Sequence, residues 1–139
     1  MKKTISILLA VLCIITLFAG CREKAPVYVD GTVRYTENTT LGSGSKTITV
    51  TVKDNEGKSV VFTIKTDAET VGEALLENEV IAGDEGAYGL YIKVVNGLRA
   101  DYDKDQTYWA FYKSGEYMMS GVDSTTITSG DHYELSKDK

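Results

Sequence analysis

The chain has 139 residues, 20 acidic against 15 basic side chains, and a formal net charge of −5. This length supports one small domain. The acidic balance and the lack of a basic stripe exclude the electrostatic footprint of a nucleic-acid binder and argue against a domain lying flat on anionic lipid.

The N-terminus has the pattern of a secretory signal. Lys2 and Lys3 precede an apolar run from Ile5 to Ala19, which is short for a membrane span of about 20 apolar residues. Residues 18–21, Phe-Ala-Gly-Cys, resemble the bacterial lipobox, with Phe18 where Leu is usual. The resemblance implies a signal peptide over residues 1–20 and a lipid on Cys21, with an uncleaved signal anchor as the alternative.

A lipid on Cys21 fixes where the protein works. More than one acyl chain holds a protein stably at a membrane, since each buried methylene contributes about 0.8 kcal/mol. We therefore expect a domain anchored to the cell membrane on its extracytoplasmic side, in a Gram-positive bacterium. Cys13 leaves with the signal, so the mature domain has no free thiol and no internal disulfide.

Residues 21–45 read as a flexible tether. They contain the only proline, Pro26, and a Gly/Ser run from Gly42 to Ser45. A short strand around Tyr28–Tyr35 is the alternative. The predicted domain then covers residues 46–137.

Residues 46–66 predict a β-hairpin. Ile48, Val50 and Val52 alternate with threonines, and the alternation resumes after a polar turn that ends at Gly57. One face is apolar and the other is rich in threonine, so we expect a sheet that is covered on one side only.

A short helix follows. Thr70 and Glu73 form a capping-box pattern, and Val71, Ala74 and Leu75 make an apolar stripe. Gly72 weakens the helix, which should therefore depend on docking against the sheet.

Residues 83–89 read as a loop, and residues 90–97 as a strand that ends in an Asn-Gly turn. An aromatic hairpin and a last strand near His132 complete the order. The predicted fold class is α+β, a β-grasp-like mixed sheet with one short helix packed on one face.

No catalytic or metal-binding set emerges. Asp101, Asp103 and Asp105 start like a Ca²⁺ loop, but the later positions that need Gly and Glu hold Gln106 and Tyr112. A solvated acidic turn is favoured over an irregular Ca²⁺ site. The single histidine, His132, has no identifiable nucleophile beside it, so we predict neither enzymatic activity nor a resident metal or cofactor.

The aromatic hairpin at residues 107–121 contains the only tryptophan, Trp109. Alternation places Tyr108 and Tyr112 on one face of the strand, and Trp109 and Phe111 on the other. The outward rings could merely cover the sheet through cross-strand pairs. They could instead form a stacking platform for a flat or apolar ligand.

The same residues suggest a family. Residues 46–135 resemble a bacterial lipoprotein domain of unknown function that is similar to the C-terminal β-domain of the cobalamin carriers transcobalamin and intrinsic factor. The matching motifs, in order, are Thr70-Val71, Asn96-Gly97, Trp109, Gly115, Gly121-Val122 and Gly130-Asp131. Ser114-Gly115 stands where the family often has Asn-Gly.

The resemblance implies a domain that closes over a ligand. We predict a binding module that captures a small molecule, with cobalamin or another corrinoid as the candidate, through Tyr108, Trp109, Tyr112 and Tyr117. A partner could be a transporter or another envelope protein. The alternative is a protein-interaction or structural cell-surface module with no small ligand.

Overall fold

The computed structural model describes residues 32–139. The predicted signal peptide, Cys21 and the first part of the predicted tether lie outside these residues. Among the residues it does describe, no helix is long and apolar enough to cross a membrane.

Nine strands dominate the described chain, and their bounds are β1 Thr39–Gly42, β2 Lys46–Lys53, β3 Ser59–Thr66, β4 Ile81–Gly86, β5 Gly89–Val95, β6 Leu98–Arg99, β7 Tyr108–Lys113, β8 Glu116–Tyr117 and β9 His132–Asp138. Helix α1 spans Val71–Glu77, α2 is a helical turn at Tyr102–Asp105, and a 3₁₀ turn covers Val122–Ser124. The fold is α+β and dominated by sheet.

The strands form two sheets. The larger has the order β1-β3-β2-β9-β7-β8, and the smaller has the order β4-β5-β6. The predicted hairpin β2–β3 is confirmed, with Val50 opposite Phe62. The last strand, β9, lies between β2 and β7, parallel to β2 and antiparallel to β7. The larger sheet is therefore mixed.

The larger sheet has one covered face and one open face. On the covered face, Val50 of β2 lies level with Phe62 of β3 and Tyr133 of β9, and all three are fully buried. The threonines of β2 point to the other face and are only partly buried. The period-2 pattern therefore identified the two faces correctly, because successive strand residues point to opposite sides.

Helix α1 covers the apolar face and begins with the predicted capping box. The Glu73 N–H donates to Thr70 Oγ1 at 3.2 Å, and the Thr70 N–H donates to Glu73 Oε2 at 3.2 Å. Val71 and Leu75 are fully buried in the core cluster, and each such side chain contributes about 1.5–3 kcal/mol by burial.

A buried hydroxyl joins the sheet to the helix end. Thr66, at the end of β3, donates to Glu77 Oε1 at 2.7 Å and accepts from the Ala68 N–H at 2.9 Å. Its side chain is fully buried, so both polar functions of the hydroxyl are satisfied within the protein.

Close packing explains why α1 contains Gly72, although glycine is a poor helix former. A Cβ at this position would lie 2.9 Å from Asp123 Cα and 3.0 Å from Asp123 N, which are backbone atoms of the 3₁₀ turn. The missing side chain lets the helix and this turn approach closely. The weak helix former is therefore what permits the docking on which the helix depends.

The predicted tether boundary is corrected. Residues 39–42, assigned to the tether, form β1 and pair in parallel with β3. Closer to the start of the described chain, Arg34 forms an ion pair of 2.9 Å with Glu79, and the Tyr35 ring packs edge-on against Phe62 at 5.4 Å. The folded domain thus includes residues from about Arg34 onward. The alternative strand around Tyr28–Tyr35 is absent from its described part, residues 32–35.

The predicted loop at residues 83–89 is also wrong in part. Residues 83–86 belong to β4, which pairs with β5 around a tight turn and has a β-bulge between Ala82 and Gly83. A Cβ at Gly83 would lie 2.0 Å from the Tyr91 carbonyl oxygen. Close backbone approach explains a glycine in a strand, where propensity alone disfavours it.

Substituting Gly72 tests the close approach between α1 and the 3₁₀ turn. In an exposed helix, Gly→Ala stabilises by about 0.5–1 kcal/mol. At this site we expect Gly72→Ala to destabilise the domain by about 1–3 kcal/mol, because the added methyl meets backbone. Urea unfolding measures the change. Leu76→Ala on the exposed side of the same helix is the control, and a stabilised Gly72→Ala variant would refute the packing argument.

Candidate functional site

The alternation in β7 places Trp109 and Phe111 on the covered face, where they are 8 % and 7 % exposed. Phe111 lies opposite Leu135 of β9 and stacks on Tyr133, with ring centroids 5.7 Å apart. The side chains of β7 that face the core are therefore Trp109 and Phe111.

Tyr112 lies on the open face, opposite Glu134 of β9. Its hydroxyl donates to Asp138 Oδ2 at 3.1 Å, and its ring packs edge-on against Tyr117 at 5.6 Å. Desolvation, followed by the Asp138 hydrogen bond, raises the pKa of Tyr112. The contact between Tyr112 and Tyr117 is a cross-strand pair, as expected if the outward rings only cover the sheet.

A groove opens where β5 approaches β7 and the segment after β8. Its volume is about 220 Å³. The lining residues are Leu90–Ile92, Tyr108, Trp109, Phe111 and Tyr117–Val122. None of these side chains is charged at neutral pH. An uncharged, aromatic lining favours an uncharged apolar group over an ion.

Large apolar side chains stand exposed at the rim of this groove. Met119 is 94 % exposed, Tyr117 56 % and Tyr91 47 %. Methionine and tyrosine adapt to a bound surface with rotatable or amphipathic side chains. Their exposure around one groove is typical of a recognition surface.

Two buried polar atoms near the groove have no hydrogen-bond partner in the described chain. They are Trp109 Nε1 and Asp123 Oδ1. The other carboxylate oxygen, Asp123 Oδ2, accepts from the Leu90 N–H at 3.1 Å. A buried polar group without a partner is costly, and this unpaired indole N–H belongs to a residue of the groove wall.

Asp123 also positions the start of β5, the strand that forms one wall of the groove. A Cβ at Gly89, where φ is +101°, would lie 2.4 Å from Asp123 Oδ2. Glycine therefore allows the start of β5 to close on this carboxylate. The 3₁₀ turn thus contacts helix α1 on one side and the groove wall on the other.

A polar network fixes the far end of the aromatic strand. Asp131 Oδ2 accepts from the Tyr133 hydroxyl at 2.6 Å and from the Thr128 N–H at 2.9 Å, and Lys113 Nζ lies 3.2 Å away. Desolvation of Asp131 opposes ionisation, but these hydrogen bonds and the Lys113 charge outweigh it and lower its pKa. Burial, followed by the bond to Asp131, raises the pKa of Tyr133.

The acidic run is a helical turn in the structure. The Asp101 carboxylate caps α2 by accepting from the Asp103 N–H at 3.1 Å, and Asp105 accepts from the Thr107 N–H at 3.0 Å. Over residues 32–139, no three His, Cys, Asp or Glu side chains converge to hold a metal ion. His132 lies exposed and hydrogen-bonds the Thr49 hydroxyl through Nδ1.

The structure divides the four predicted ligand-binding residues. Tyr108, Trp109 and Tyr117 line the groove, whereas Tyr112 does not. Sequence reasoning missed the second wall, Leu90–Ile92. Residues 90–97 were predicted as a strand, but no local pattern says that this strand packs beside the aromatic one.

Comparison with known proteins finds one matching family model and two similar solved structures. Residues 68–135 match the family model described as a domain of unknown function, DUF4430. The crystal structure of a candidate metal-binding protein from Ruminococcus gnavus ATCC 29149 is 37 % identical, with a TM-score of 0.65 over 68 % of this chain and 98 % of that one. The chain belongs to the same family as this protein.

A second similarity concerns the fold alone. Haptocorrin in complex with Cbi matches at a TM-score of 0.51 and 24 % identity, over 71 % of this chain and 26 % of that chain. This chain therefore corresponds to about a quarter of haptocorrin. No curated protein matches the chain.

The Asp131 network gives a pH-dependent prediction. The folded-state pKa of Asp131 is lowered, so its contribution to stability is present above the unfolded value of about 3.9 and is lost as pH falls through the folded value. We expect Asp131→Asn to cost about 1–3 kcal/mol near neutral pH, because charge-assisted bonds are lost.

Urea unfolding of the parent and the Asp131→Asn variant at about pH 7 and about pH 3 measures this dependence. The difference in stability between the two proteins should shrink at the lower pH, where the parent carboxyl becomes protonated. Asp103→Asn, at an exposed position, is the control. A difference that stays constant between the two pH values would contradict the assignment.

Proposed function

We propose that this protein is a membrane-anchored, extracytoplasmic binding module that captures a small, largely uncharged ligand group in the groove between β5 and β7. The observation that carries the proposal is the groove itself. It combines an uncharged aromatic lining, exposed rim side chains and the unpartnered Trp109 N–H. The anchor is inferred from the resemblance of residues 18–21 to a lipobox.

The fold supports a binding role by analogy. We describe the larger sheet as β-grasp-like, because the N-terminal hairpin β2–β3 meets the C-terminal strand β9 in parallel and α1 crosses one face. Such scaffolds host many functions, so the fold alone does not identify a ligand.

A corrinoid is the first ligand to test. The sequence resembles the β-domain of cobalamin carriers, and the fold is similar to that of haptocorrin, whose crystal structure is a complex with Cbi. The groove of about 220 Å³ is smaller than the roughly 300–1,000 Å³ of sites that enclose a whole ligand. It would therefore hold one edge of a corrinoid and leave the rest to solvent or to a partner protein.

A metal ion fits this groove less well. The similar Ruminococcus gnavus protein is named as a candidate metal binder. In this chain, the groove offers neither carboxylate nor imidazole side chains, which are the ligands that hard and borderline metal ions prefer. The proposal includes no catalytic step, since no nucleophile and base side chains lie together in the groove.

Protein interaction is the second candidate function. Tyr88, at the tip of the β4–β5 hairpin, is 101 % exposed, and Met119 is 94 % exposed. Both side chains leave apolar surface in water, which contact with a protein partner would bury. In this version, the rim contacts another envelope protein and no small molecule enters.

Calorimetric titration of the soluble domain, with Cys21 and the signal removed, tests the small-ligand proposal. Cobalamin and its precursors should bind saturably at micromolar concentrations. Trp109→Phe keeps an apolar ring but removes the N–H, so we expect affinity to fall by about 2- to 10-fold, equivalent to one hydrogen bond. Tyr117→Ala should also weaken binding, through lost stacking.

Tyr102→Ala is the matched control, because Tyr102 is an exposed tyrosine outside the groove lining. Its affinity should equal that of the parent. Absence of heat with every corrinoid would reject the corrinoid assignment. Recovery of one envelope protein, through contacts that Met119→Ser and Tyr88→Ser abolish, would favour the interaction module.

A further inference from the structure

A second cavity lies away from the groove. It is bounded by residues 33–36, the outer end of the β2–β3 hairpin, and the turn between β5 and β6. Its volume is about 390 Å³, within the range of small-molecule sites. Three separate segments of the chain meet there. This is typical of a binding cavity, whereas a surface crease is formed within a single loop.

The floor of this cavity is apolar. Val52 and Val60, which are 3 % and 9 % exposed, belong to the hydrophobic core and also line the cavity. Leu98 and Tyr35 form the walls, and both are half-buried. A small apolar molecule would find a preformed surface here, without rearrangement of the core.

Asn96 holds one wall in place. Its side chain accepts from the Tyr35 N–H at 2.8 Å and donates to the Tyr35 carbonyl at 2.9 Å. The Asn96 side chain is buried and has used both functions of its amide. It therefore holds the Tyr35 backbone in place and shapes the cavity.

The charge available at the rim is negative. Asp54 is half-buried, and its Oδ1 accepts from the Glu56 and Lys58 N–H groups at 2.9 and 2.8 Å. No ion pair in the described chain involves Asp54, and its Oδ2 has no hydrogen-bond donor there. The other charged lining residue, Lys58, is mostly exposed and lies 3.3 Å from Glu56, so Asp54, Glu56 and Lys58 together carry a net negative charge.

We infer that this cavity binds a small apolar cation, with the apolar body on Val52, Val60 and Leu98 and an ammonium group at Asp54. A half-buried carboxylate without a counter-ion, beside a preformed apolar floor, is complementary to that chemistry. The site is independent of the proposed groove and shares no lining residue with it.

Phenethylammonium is the probe for this site. Its neutral and anionic counterparts are 2-phenylethanol and 3-phenylpropionate, which carry similar apolar bodies. The intact chain in phosphatidylcholine nanodiscs is titrated by calorimetry, and empty nanodiscs are titrated to correct for lipid partitioning. Phenethylammonium should bind more tightly than either counterpart.

Two variants test the placement. Asp54→Asn keeps the oxygen that accepts the two backbone N–H groups but removes the charge, so phenethylammonium should bind about 2- to 5-fold more weakly while 2-phenylethanol is unchanged. Val33→Trp fills the cavity from a position that is 38 % exposed and should abolish binding of both. Unfolding in urea checks that each variant retains the parent stability.

Tyr102→Ala is the matched control, because Tyr102 is an exposed tyrosine that lines neither the groove nor this cavity. Its affinity for phenethylammonium should equal that of the parent. The inference is overturned by heat no greater than that of empty nanodiscs, by equal affinity for the three probes, or by binding that survives Val33→Trp.

Discussion

The structure depends on the placement of β9 between β2 and β7. This last strand brings the N-terminal hairpin and the aromatic strand into one sheet, although their residues lie far apart in the chain. Tyr133 and Leu135 are both fully buried on its covered side. A slip of one residue in a strand exchanges its two faces, so the register between β7 and β9 places Phe111 on the same covered face as its partner Leu135.

The groove follows from that register and from the second sheet. With Trp109 facing inward, its indole meets the side of the domain where β5 packs, while Tyr112 remains on the open face. The 3₁₀ turn completes the arrangement, because Asp123 contacts both Gly72 of α1 and Gly89 at the start of β5. Two glycines that look like local weaknesses are the points at which separate elements close on one carboxylate residue.

Local pattern was sufficient for the strongly periodic elements. The β2–β3 hairpin and α1, with its capping box, follow from alternation and from the spacing of Thr70 and Glu73. β1 was missed because four residues with a glycine carry little strand signal, and their partner is a parallel strand some twenty residues away. The β4 residues Gly83–Gly86 were read as a loop because glycine and acidic residues are depleted in strands.

The sites were less predictable than the fold, because they too depend on contacts between segments that are distant in the sequence. Alternation in β7 separated Trp109 from Tyr112, but only tertiary packing decides which ring faces the core. The wall Leu90–Ile92 and the cavity beside Tyr35 are made by segments that no sequence motif links. Local sequence therefore identified ring-bearing residues, whereas their grouping into surfaces required long-range contacts.

The two hydrogen bonds between the Asn96 side chain and the Tyr35 backbone have a mechanical consequence. A tether that joins the domain to a membrane would pull on the chain at its first described residues. That load would reach the two hydrogen bonds of the Asn96 side chain, together with the Arg34–Glu79 ion pair, before it reached β1. The β1–β3 pairing that follows is parallel, so force directed along β1 would shear its hydrogen bonds together instead of opening them one at a time. If the chain is anchored at its N-terminus as proposed, tension therefore reaches this segment before it reaches the core and the groove.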